Sequence, residues 1–248
     1  MSDNQAAGAH TGAIAVLGAM PEEVALLLQD LTGREDRTVA GVAVHAGEFD
    51  GVPVLIAVSG VGKVNAAATA QALLVCGARS LVFTGVAGAL DPQLRTGDLL
   101  IGTDAFQYDV DVTALGYERA RIPGEPLAWS SDPDLVALAL AAAAELPEVR
   151  VTVGRIATGD RFLANSTAAQ RLHEDFGAAC VEMEGAAVAQ VCSRAGVPFV
   201  IIRSVSDSAD ESAELSFREF TDLAARRAKS LVRGMLARLR EGDGNPAG

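Results

Sequence analysis

Short apolar runs of strand length alternate along the chain with longer amphipathic stretches of helical length. That alternation predicts an α/β protein built on a largely buried sheet. The first run, Ala13 to Gly18, leads into PEEVALLLQDL, where Pro21 suits a first helical turn and Glu22 and Glu23 favour the positive end of a helix dipole. VAVHAGEF and VPVLIAVS flank Asp50-Gly51, a hairpin signal, so an antiparallel pair joins the sheet and makes it mixed. An alanine-rich helix closed by Gly77 precedes the strand SLVFTGVAG, in which Gly85 and Gly88 read as a tight turn. The strand opening LLIGTDAF gives way to a polar stretch bearing glycines and prolines, too long for a simple connection and so a candidate functional loop. Asp132-Pro133 caps a helix. Strands at VTVGRIATG, AACVEM and VPFVIIRSVSD then alternate with helices at STAAQRLHEDFG and EGAAVAQVCSRAG, and a last helix runs from about Glu211 to Arg240. The expected architecture is three layers, α/β/α, around a central mixed sheet. It forms a single domain over 13–240, with flexible tails at 1–12 and 241–248.

Composition narrows the function. With 248 residues, half of them hydrophobic, the chain can bury one large core. Thirty-two acidic against twenty basic side chains leave a net charge of −12, which repels a phosphate backbone and excludes nucleic acid as the expected partner. The longest apolar run, Leu135 to Ala144, is half of the roughly 20 residues that cross a bilayer, so no membrane span is expected. The opening MSDNQAAGAHTGA has neither the basic nor the apolar region of a signal peptide, which points to the cytoplasm. Cys76, Cys180 and Cys192 stand singly in apolar stretches and suit reduced, buried thiols. His45 and His173 lack metal-ligand spacing, and neither a metal nor a cofactor is expected.

Gly60-Val61-Gly62-Lys63 invites a phosphate-loop reading. Ala57 stands where that motif needs glycine, however, and Val64 where it needs Ser or Thr; a dinucleotide fingerprint fails at Asn65. Glycine for strand-to-helix turns is the plainer account. No G-x-S-x-G elbow is present and no cysteine has a histidine placed by a motif, so chemistry falls to carboxylates. Glu23, Glu182 with Glu184, and Asp207 each follow a predicted strand, at the edge where open α/β sheets bind ligands. Singly, Glu23 and Glu184 also suit helix N-termini, and Asp207 suits a cap. Together they can converge on a pocket whose partial desolvation raises their pKa values toward neutrality.

LGAMPEEV, SGVGKVNAA, TGVAGAL, DVDVTALGYE, TGDRF, VEMEGAAVAQVC and VPFVIIRSVSD resemble, in order and spacing, the 5′-methylthioadenosine/S-adenosylhomocysteine nucleosidases of the purine nucleoside phosphorylase superfamily. The likeness runs from about Ala13 to Leu239 and implies a nucleoside phosphorylase-like fold, no cofactor, and hydrolysis of a small nucleoside to adenine in methionine salvage. By that resemblance Glu23 is the base that deprotonates the attacking water. Asp207, oriented by Ser206, is the acid at adenine N7, and Glu184 binds the ribose hydroxyls, with Glu182 beside it. Met183 lies against the ribose, Phe162 stacks on adenine, and backbone groups of Leu163 read the base edge. Val86, Ala87 and Gly88 fall at the family's glycine turn, and Arg203 near the attacking water. Leu115, Tyr117 and Pro123 match positions that the neighbouring subunit supplies over the 5′ group, which implies a homodimer.

A carboxylate at the nucleophile's position repels phosphate and activates water, so hydrolysis is favoured over phosphorolysis, although Arg203 is a residue that can hold an anion. The chain departs from the family pattern at Val86 (usually Ser), Tyr108 (His), Leu115 (Phe) and Arg161 (a small residue). The alternatives are a futalosine-type or adenosine hydrolase, a phosphorylase, and a nucleoside-binding or storage protein.

Overall fold

The computed structural model describes residues 12–146, 149–210 and 213–243. Apart from residues 12 and 241–243, the expected tails lie outside them. Ten strands form one sheet: β1 (Ala13–Gly18), β2 (Thr32–Val39), β3 (Val42–Phe49), β4 (Val52–Val58), β5 (Ala78–Ala89), β6 (Leu99–Gln107), β7 (Trp129–Ser130), β8 (Val151–Thr158), β9 (Ala178–Glu182) and β10 (Phe199–Asp207). Six α-helices accompany them among the described residues: α1 (Pro21–Gln29), α2 (Lys63–Val75), α3 (Pro133–Ala143), α4 (Ser166–Phe176), α5 (Gly185–Ala195) and α6 (Ala213–Asp243). The final helix thus continues past the expected stop at Arg240 through Glu241, a good helix former; its expected start at Glu211 lies outside the described residues.

The sheet is mixed, as the Asp50-Gly51 turn predicts. β3 and β4 pair antiparallel, while β1 runs parallel to both β4 and β5. Strand β1 shows why its sequence reads as an unbroken apolar run. Ala13, Ala15 and Leu17 enter one core beneath α2 and α5, and Ile14 and Val16 enter another beneath α1, α3 and α6. These are the two helical layers. At one end, β10 pairs with both β5 and β6, so β5, β10, β6, β8 and β9 close a ring.

Strand β2 is an element that the apolar pattern does not predict. Its sequence TGREDRTV is charged and mostly exposed, and it is held by backbone pairing to β3, with Asp36 Oδ1 lying 2.8 Å from His45 Nδ1 across the pair. Asp132 caps α3 as expected, accepting from the amides of Asp134 and Leu135. Gly177 and Gly196 close α4 and α5 in the left-handed conformation.

Candidate active site

The C-terminal ends of β1, β5, β9 and β10 surround a cleft of about 250 Å³. Glu23, Glu182, Glu184 and Asp207 all line it, so the carboxylates picked out by their place after strands come together. Val86, Ala87, Gly88, Met183 and Ser206 line it as well, and Phe162 and Leu163 form part of its wall.

Glu23 is fixed by its own helix start. It stands in the first turn of α1, and its Oε2 accepts from the amides of Ala19 (2.6 Å) and Met20 (2.9 Å); across the cleft, its Oε1 accepts from the amide of Val86 (3.2 Å). Val86 thus contributes its backbone, a contact that the exchange of a hydroxyl side chain for an isopropyl group leaves in place. Burial raises the Glu23 pKa above the ordinary carboxylate value, against the pull of Arg203 and the three amides.

Gly85 and Gly88 do not mark a tight turn. They lie within β5, which runs on to Ala89, and glycine serves there to admit side chains from α1 and β10. A Cβ on Gly85 would stand 2.8 Å from Oε1 of Glu23 and 3.1 Å from Nη1 of Arg203; one on Gly88 would stand 2.8 Å from Oδ1 of Asp207. Two carboxyls can therefore rest directly on the strand.

Asp207 ends β10, where Ser206 Oγ donates to its Oδ2 (2.7 Å) and the amide of Ala209 to its Oδ1 (2.8 Å). Burial again raises its pKa, overriding both hydrogen bonds. Glu184 immediately precedes α5, and its Oε1 accepts from the amide of Gly62 (2.7 Å), just ahead of α2. Burial, and then the charge of Glu182, push Glu184 up to about 7.

Glu182 lines the cleft with both oxygens already engaged. Oε1 accepts from Thr158 Oγ1 (2.5 Å); Oε2 accepts from Arg203 (2.6 Å) and from the amides of Gly185 (2.7 Å) and Glu184 (3.2 Å). Thr158 Oγ1 accepts in turn from the amide of Ala186 (2.8 Å). Arg203 is 1 % exposed, stacks on Phe83 with its guanidinium carbon 4.0 Å from the ring centroid, and does not line the cleft. The sequence motifs that contain Thr158, Gly62 and Gly85 assign none of these residues to support a carboxylate; only the fold shows what they touch.

Phe162 is 46 % exposed at the mouth and Leu163 is buried behind it. Leu115 and Tyr117 are 74 % and 44 % exposed, Pro123 is exposed too, and none of the three lines the cleft of its own chain. Arg161 does line it.

Residues 13–237 match the family model described as the phosphorylase superfamily. A 5′-methylthioadenosine/S-adenosylhomocysteine nucleosidase of Geobacillus thermodenitrificans is 43% identical over 224 residues, 90% of this chain and 95% of that protein. The chain belongs to that nucleosidase family. A crystal structure of the family's Neisseria meningitidis enzyme, in complex with methylthio-immucillin-A, superposes with a TM-score of 0.86 at 39% identity and covers 90% of this chain and 98% of that one. A futalosine hydrolase mutant of Helicobacter pylori superposes with a TM-score of 0.88 at 33% identity, covering 92% and 100%. The nucleosidase fold expected from the sequence is therefore the fold observed.

Proposed function

We propose that the protein hydrolyses the N-glycosidic bond of 5′-methylthioadenosine and S-adenosylhomocysteine, releasing adenine. The observation that carries this reading is the convergence of Glu23, Glu184 and Asp207, from three separate segments, on one cleft of a chain 43% identical to such a nucleosidase.

The surroundings support the following roles. Glu23, held by three amides, takes the proton of the attacking water. Asp207, whose raised pKa keeps its proton to higher pH, donates to adenine N7 as charge builds on the leaving base, with Ser206 holding its orientation. Glu184 binds the ribose hydroxyls and stabilises positive charge on the sugar, and Met183 lies against the ribose. Phe162 stacks on adenine and the backbone of Leu163 reads its edge.

Water rather than phosphate is the nucleophile. Arg203, the cation that could hold an anion there, is committed to Glu182 at 2.6 Å and buried behind the cleft, whereas four carboxyls line it. The exposed Leu115, Tyr117 and Pro123 belong over the 5′ group of a partner's site, making a homodimer the working form. Three free thiols fit a cytoplasmic enzyme, and methionine salvage is its place.

The deciding experiment measures adenine released from methylthioadenosine by chromatography, with and without phosphate, alongside S-adenosylhomocysteine and futalosine. Equal adenine with and without phosphate is expected. Release only with phosphate would make the protein a phosphorylase, and release only from futalosine would replace the substrate.

A further inference from the structure

The motif Gly60-Val61-Gly62-Lys63 fails as a phosphate loop, yet its lysine is placed with care. Lys63 Nζ donates to Oδ1 of Asp109 at 2.6 Å and to Gln107 at 3.2 Å. The amide of Lys63 donates to Oδ1 of Asp160 (2.8 Å), and the amide of Asp160 donates to Oδ2 of Asp109 (2.9 Å). One carboxylate thus grips a lysine on α2 with one oxygen and the backbone of the 159–163 turn with the other. The pair is partly shielded, with side chains 17% and 27% exposed, so water competes only in part.

Two of the three segments joined here carry the two ends of the cleft. The amide of Gly62, next to Lys63, holds Glu184, while the turn beginning at Gly159 carries Phe162 and Leu163. Packing at the junction is close: a Cβ on Gly62, whose φ is +98°, would stand 3.1 Å from Oδ1 of Asp160.

We propose that Asp109 is a positioning residue which, through Lys63, clamps the 159–163 turn to the start of α2 and so sets the separation of Phe162 from Glu184. This rests on the nucleosidase reading for the roles of those two residues. The clamp touches neither Glu23 nor Asp207. Its loss therefore weakens the grip on a nucleoside that spans both ends, rather than the chemical step.

The test uses the full chain with Asp109→Asn, Lys63→Met and the double substitution. Amide hydrogen exchange of peptides covering 62–64 and 159–163 is expected to quicken at least about tenfold in Asp109→Asn, in both segments together. With methylthioadenosine, KM is expected to rise at least about tenfold while kcat stays within about threefold, and the double variant is expected to be no worse than Asp109→Asn alone. An unchanged KM overturns the proposal, including when kcat falls, because that pattern reports only lost folded enzyme. If the unaltered protein releases no adenine, the nucleosidase reading fails instead. The exchange measurement then decides alone, and unchanged exchange in either segment sinks the clamp.

Discussion

Arg203 and Glu182 form an ion pair of 2.6 Å in which the two side chains are 1% and 3% exposed. Two charges removed this completely from water depend on each other and on the groups around them, here Thr158, the start of α5 and the ring of Phe83. Glu182→Gln should therefore cost about 3–5 kcal/mol of stability, measured by urea unfolding, because it leaves a buried guanidinium without its counter-charge. A loss below about 1 kcal/mol would return Glu182 to the role of a plain substrate contact.

Glu23→Gln should abolish turnover while adenine still binds, since the amide keeps the shape of the carboxylate but cannot take a proton. In the unaltered enzyme, kcat/KM should fall on the acid side as pH drops through the raised pKa of Glu23. Adenine binding lost along with turnover, by calorimetry, would make Glu23 a structural residue.

Asp207→Asn should lower kcat/KM by about 100-fold or more. The pH profile sharpens the test. The alkaline fall, where Asp207 gives up a proton that burial helps it retain, should vanish in this variant. Near-normal turnover would remove Asp207 from the leaving-group step.

Gly85→Ala should cut kcat/KM by about 100-fold through displacement of Glu23, because a shift near 1 Å at a reacting group has that scale of effect. The melting temperature should change far less than the activity. If activity survives, the carboxylate of Glu23 does not depend on the bare strand beneath it.

Glu184 gives a prediction for stability. Its pKa is raised from the ordinary 4.5 to about 7 in the folded chain, so the folded state holds a proton that the unfolded state releases. The associated stability is present below about 4.5 and is lost as pH rises through about 7. Glu184→Gln removes the titration, so its melting temperature should match the parent's at low pH and exceed it above neutrality. A constant difference between the two across that range would refute the assignment.

Much of this was legible in the residues, for a physical reason. Strands buried on both faces read as apolar runs, as β1 does throughout and β10 does over its first four residues, Phe199 to Ile202, and carboxylates that follow such runs are conspicuous: hence Glu23, Glu184 and Asp207. What escaped depended on contacts between distant segments. Gly85 and Gly88 read locally as a turn, because a glycine that admits a carboxylate from another element looks in sequence like one that bends the chain. Arg203 could be placed near the nucleophile, but its commitment to Glu182 is visible only when β9 and β10 are brought together.

The charges of strand β2 disguise it in the sequence, and they have a consequence for the molecule among its own copies. Ring closure through β10 leaves β2 as the long strand with an open backbone edge among the described residues. Arg34, Glu35, Asp36 and Arg37 crowd it with charge that an incoming strand would have to strip of water. A ten-stranded sheet is thereby kept from recruiting an eleventh strand from another molecule, and growth into polymers by edge-to-edge pairing is blocked where the fold would otherwise invite it.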